Sequence, residues 1–83
     1  MGKYYLRLQV ADQPGVLASI ASVFGEQAVS IASVVQKKTT GEHAEIVWIT
    51  HDVKERAMQA SLRRIDSLPA VIEISNLIRV LPA

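Results

Sequence analysis

Eighty-three residues make one domain, and 49% of them are hydrophobic, enough for one modest core. Nine Lys or Arg against eight Asp or Glu leave a net charge of +1, too balanced for nucleic-acid or membrane binding by electrostatics alone. With no cysteine, disulfides, zinc–thiolate sites and thiol nucleophiles are excluded, and no apolar run approaches the roughly 20 residues of a membrane span.

A domain this small buries a limited share of its surface, so association with further copies is an expected source of stability. Residues from Lys3 to Val10 alternate and form no continuous apolar block, so no signal-peptide pattern is present and a reducing, cytoplasmic setting is the expectation. Met1-Gly2 reads as an added start, and residues 1–83 as a single domain from a longer protein.

Tyr4, Leu6, Leu8 and Val10 share one parity and Tyr5, Arg7 and Gln9 the other, which predicts a half-buried strand. Ala11 to Gly15 is a turn, with Pro14 suited to a first helical position. Leu17, Ile20, Ala21 and Phe24 then recur at the spacing of one helix face, flanked by Val16 and Val23; Gly25 to Ala28 ends that helix. Val29 to Gln36 is an uncharged second strand. Lys37 to Glu42 reads as a hairpin loop.

His43 to His51 is the third strand, with Ala44, Ile46 and Trp48 on one face and Val47 and Ile49 on the other. Apolar residues on both faces mark a central strand, or one whose second face meets another subunit. Asp52 and Glu55 have capping-box spacing and open a second helix, through about Leu68, that buries Met58, Leu62 and Ile65; Pro69 stops it. Val71 to Val80 is the last strand. Ile72, Ile74, Ile78 and Val80 line up in it, Asn76 interrupts them, and a bulge is expected near Ser75-Asn76.

The order βαββαβ, with right-handed crossovers, predicts an α+β ferredoxin-like sandwich. It has a four-stranded antiparallel sheet with both helices on one face, strands 1 and 3 central and strands 2 and 4 at the edges.

The turn at Asp12-Gln13-Pro14-Gly15 is the leading candidate site. Amides of Gly15, Val16 and Leu17 at the positive helix end can hold a carboxylate, Gly15 allows close approach, and Asp12 can hold an ammonium group. An amino acid carries both charges. The plain alternative is that Asp12 caps the helix and Pro-Gly merely turns the chain. Pairing of the uncharged second strand with a symmetry mate would give a two-fold dimer; protection of that edge by Lys37, Lys38 and a covering loop is the alternative.

His43 and His51 lie roughly 26 Å apart along one strand and cannot share a metal ion. No serine sits in a Gly-x-Ser-x-Gly elbow, and neither phosphate-binding glycine motif occurs, so catalysis by this chain is not expected. The βαββαβ order also serves RNA-recognition modules, but strands 1 and 3 offer only Tyr5 and Trp48 for base stacking.

Tyr5 to Leu8, the run Val10-Ala11-Asp12-Gln13-Pro14-Gly15-Val16-Leu17, Val23 to Glu26 and Val29 to Ile31 together resemble an ACT domain. These small modules sense amino acids and regulate metabolic enzymes. Tyr4 to Arg7, Ser30 to Lys37 and Ile49 to His51 are further similar to the C-terminal regulatory domain of bacterial homoserine dehydrogenases. That resemblance implies a parent oxidoreductase reducing aspartate semialdehyde with NAD(P), in the route to threonine and methionine. It also implies threonine as effector, a homodimer or higher oligomer formed by edge-strand pairing, and a natural end at Ala83. No cofactor and no metal is expected in this stretch.

The family supplies ligand contacts from the first turn and from a neighbouring domain's second strand. Carried over, these are Asp12, Gln13, Gly15, Val16 and Leu17, with Ser30 and Ile31 across the interface. Ser30 stands where many members have Asn, and Ala28 where many have Gly. A purely structural dimerisation role, or a different amino-acid-pathway parent such as an aspartokinase or a phosphoglycerate dehydrogenase, stays open.

Overall fold

The computed structural model describes residues 2–38 and 41–80, with nothing said of the Lys38 side chain. Met1, the Thr39-Thr40 part of the hairpin loop and the end at Ala83 therefore lie outside it. The elements run β1 (Lys3–Ala11), α1 (Val16–Glu26), β2 (Ile31–Lys38), β3 (His43–Thr50), α2 (Glu55–Asp66) and β4 (Val71–Val80). The sheet order is β2-β3-β1-β4, every pair antiparallel, so β1 and β3 are central as the sequence predicts.

Strict alternation in β1 puts Tyr4, Leu6, Leu8 and Val10 into the core, and Ala44, Ile46 and Trp48 of β3 do the same. Both helices pack on this face, because their buried residues join these in one cluster. At its centre the Phe24 and Trp48 rings lie 5.2 Å apart at a tilt of 56°, a favourable aromatic arrangement. Burying Trp48 removes one of the two aromatics that an RNA-stacking surface would need.

Three helix expectations are corrected. Pro14 is not the first helical residue. Gln13 to Val16 close a type II turn, with Pro14 second and Gly15 third at φ 85°, so the helix starts only at Val16. In the stripe of α1, Ile20 and Phe24 are buried as expected, but Val16 and Val23 take the places of Leu17 and Ala21, which face out. Asp52 is not a cap. Val53 is drawn into the core and pairs with Gly2, so Lys54, in extended conformation, occupies the cap position without a side-chain hydrogen bond. In α2, Ser61 is buried beside Met58 and Ile65, its hydroxyl donating to the Ala57 carbonyl, while Leu62 is half-buried at the margin.

Two strand expectations shift as well. β2 runs two residues later than expected, because Val29 turns into the core and its amide closes the α1 end on the Phe24 carbonyl. Ala28 just before it has φ 58°, a left-handed strain of about 1–2 kcal/mol for a residue with a Cβ. In β4 the bulge is present. Arg7 pairs with Asn76 and Leu8 with Ile74, leaving Ser75 as the extra residue; a second irregularity leaves out Ile72. The bulge separates residues that simple parity puts together: Ile74 packs on the core, while Ile78 and Val80 turn to the opposite face. It also lets Asn76 point away from the core.

Thr50 is fully buried, and its hydroxyl oxygen accepts a hydrogen bond from the Tyr4 amide at 3.0 Å. Thr50→Val keeps the shape but strands that amide, at a cost of about 1–3 kcal/mol. Urea unfolding of the variant measures this directly.

Candidate functional site

The β1–α1 loop sits at the end of the sheet where Ala11 pairs with His43. It is pinned from both sides. The Ala11 amide donates to the Ala70 carbonyl at 2.8 Å, and the Asp12 amide donates to the Glu42 carbonyl. Gly15 then reverses the chain into α1. Ser19 ties the turn down, its amide and its hydroxyl both donating to the Gly15 carbonyl, at 2.9 and 3.0 Å.

The donors at the start of α1 are left open. No side chain caps the helix, and its first turn carries no acidic residue. The amides of Gly15, Leu17 and Ala18 find no backbone acceptor among the described residues, whereas the Val16 amide, expected to be open, donates to the Gln13 carbonyl at 3.4 Å. Asp12 is exposed, and its carboxylate makes no hydrogen bond or ion pair among the described residues. The simple capping alternative for Asp12 is therefore not what the chain does.

The loop forms a ridge between two hollows. One, of about 260 Å³, has Gln13, Pro14, Gly15, Val16 and Ser19 on one wall and Leu68 to Val71 on the other. The second, of about 290 Å³, is lined by Ala11, Asp12, Gln13, Glu42 and His43. The first offers amide donors and apolar side chains, and the second offers carboxylates. Both are at or below the small end of drug-sized pockets, which suits a small ligand.

The structure thus brings Asp12, Gln13, Gly15 and Val16 together. Leu17 is at the same helix start but faces outward and lines neither hollow. Ser30 and Ile31 are not part of this group within one chain. Ile31 pairs with Thr50, and the Ser30 carbonyl accepts from the His51 amide, at the far end of the sheet. Sequence reasoning missed the walls supplied by Ser19, Glu42 and Leu68 to Val71. The available signal was the predicted adjacency of β4 to β1, which carries residues 68–71 to the loop.

The edge of β2 remains open. Val34 and Val35 are 41% and 46% exposed, and no covering loop among the described residues hides them. Among the described residues, no helix is long and apolar enough to cross a membrane.

A family model described as ACT domain matches residues 4–70. A homoserine dehydrogenase of Synechocystis is 46% identical over 79 residues, which cover 95% of this chain and 18% of that protein. The crystal structure of a homoserine dehydrogenase from Thiobacillus denitrificans superposes with a TM-score of 0.83 at 37% identity, over 94% of this chain and 17% of that one. The regulatory subunit of aspartate kinase from Thermus thermophilus shares the fold, with a TM-score of 0.68 at 16% identity over 93% of this chain and 50% of that one. The chain spans less than a fifth of the length of the homoserine dehydrogenases it matches.

Proposed function

The chain belongs to the ACT-domain family, and on that premise we propose that it is the amino-acid-sensing regulatory module of a homoserine dehydrogenase, binding threonine where two copies meet. The parent is then a cytoplasmic NAD(P)-dependent oxidoreductase whose catalytic and nucleotide-binding parts lie in other domains. The observation that carries the reading is the loop itself: three amides without an acceptor among the described residues, at a positive helix end, next to the exposed Asp12 carboxylate. A carboxylate fits the amides and an ammonium group fits Asp12, so the arrangement selects a zwitterion.

The second copy follows from the position of Ser30. β2 runs parallel to β1, so Ser30 and Ile31 start at the end away from the loop. A two-fold axis through the middle of β2, normal to the sheet, pairs the two β2 edges antiparallel. It carries Ser30 and Ile31 of the second copy to the loop end. It also covers Val34 and Val35, in the stretch of that edge that carries no charge.

Ligand bound across such an interface favours one arrangement of the pair, and attached domains feel the bias, typically by 1–3 kcal/mol. Calorimetric titration of threonine into the dimeric chain is expected to show saturable binding, one ligand per chain. No heat at millimolar threonine, in a preparation shown to be dimeric, would leave a dimerisation module without effector.

A further inference from the structure

The helices cover only one face of the sheet. On the other, side chains form rows across the strands. One row is Ser33, Ile49, Tyr5 and Ile78; the next is Val35, Val47, Arg7 and Asn76. Lys3 and Val80 form a further row on the other side of the first. Ile78 and Val80 are 50% and 49% exposed, and Ile49 and Val35 are exposed as well. Beyond these largely apolar rows, which Ser33, Arg7 and Asn76 interrupt, lies a polar one: Lys37, Glu45, Gln9 and Glu73.

A sheet face meant for water carries polar residues at such positions, whereas apolar residues on both faces mark a sheet buried on both. Arg7 points the same way. Its Nη1 lies 3.8 Å from Glu45 Oε1, an oxygen that already accepts from Gln9 Nε2 at 3.1 Å, and its Nε is buried with no partner.

We propose that this face is a second self-association surface, packing sheet to sheet on the same face of another copy. The distribution of charge selects that occupant. Lys3 is at one end of the apolar band, and Glu45 and Glu73 are at the other. A two-fold axis along the rows, between that of Tyr5 and that of Arg7, lays each apolar row on its counterpart. The same rotation sets Lys3 of one copy between Glu45 and Glu73 of the other. It also places Tyr5 over Arg7 of the second copy, where the ring can stack on the guanidinium.

Four strands at about 4.8 Å and four rows about 6.7 Å apart give a footprint of roughly 19 by 27 Å. That is at the small end of specific interfaces, so the contact is weak and concentration-dependent. It does not compete with pairing at β2, which uses the outer backbone edge of that strand and not the sheet face. The two axes are perpendicular and can meet at the level of Val34, so both contacts together close into four chains.

Sedimentation of the 83-residue chain from about 10 µM to about 1 mM tests the proposal. Ile78→Lys changes an exposed residue on β4 and leaves β2 intact. It is expected to halve the largest assembly, from four chains to two if β2 edges pair and from two to one if they do not. Lys3→Glu is expected to weaken association at least tenfold, and adding Glu73→Lys to restore it, since only two copies of this face can exchange those charges. An assembly that neither variant changes would overturn the proposal. So would weakening by Lys3→Glu that Glu73→Lys fails to rescue, or a face that becomes protected only when the catalytic domains of a full-length parent are attached.

Discussion

Trp48→Ala is expected to leave the isolated chain largely unfolded at room temperature. Trp48 is 1% exposed on a central strand, with Phe24 tilted against it. Truncating a buried Trp or Phe to alanine costs about 3–5 kcal/mol. A domain of this length has a total stability of roughly 4–12 kcal/mol, with small domains toward the low end. The loss therefore approaches the whole. Trp48→Phe should behave differently. The Trp48 Nε1 donor is buried without a partner among the described residues, a state that itself costs about 1–3 kcal/mol. Phenylalanine removes that orphan while keeping an aromatic body against Phe24, so its net cost is expected near 1 kcal/mol. Urea unfolding followed by circular dichroism separates the two. Equal damage from both would show that Nε1 is hydrogen-bonded in solution.

Gly15→Val is the second large effect, and it falls on binding. Gly15 has φ 85°, and a Cβ there would meet nothing within 4 Å. The penalty is thus conformational, at least about 1–2 kcal/mol for a branched residue in left-handed space. The chain relieves it by moving the turn, which moves the amides of Gly15, Leu17 and Ala18. Threonine affinity is expected to fall at least tenfold, about 1.4 kcal/mol or more. Gly25→Ala is the control. Gly25 lies inside α1, where a Cβ likewise meets nothing within 4 Å, so alanine should stabilise by about 0.5–1 kcal/mol and leave binding intact. Calorimetry on both variants reads the difference. Equal affinity in Gly15→Val and the parent chain would remove the loop from the site.

The fold was legible where one strong pattern had no rival. The alternation from Tyr4 to Val10 admits one face assignment, and so does that from Ala44 to Trp48. In α1 two overlapping stripes are almost equally apolar. Which of them faces the sheet was decided by where the turn releases the chain, a matter of Gly15 backbone geometry. At Asp52 a good local cap lost to a distant contact, since burying Val53 and pairing it with Gly2 outweighs a single capping bond. The candidate site divides along the same line. Its loop wall, Asp12 to Val16, is contiguous and readable. Its far wall, Leu68 to Val71, arrives only through the β1–β4 pairing.

The bulge in β4 bears on how the length of this strand can vary between relatives. Ser75 is a spare residue, opposed by nothing on β1. A deletion there leaves every later side chain on the side it already occupies. The same deletion at Leu77 inverts the remainder, sending Ile78 and Val80 inward and Arg79 outward. Gaps in aligned homologous sequences should therefore gather at position 75 and be rare just after it.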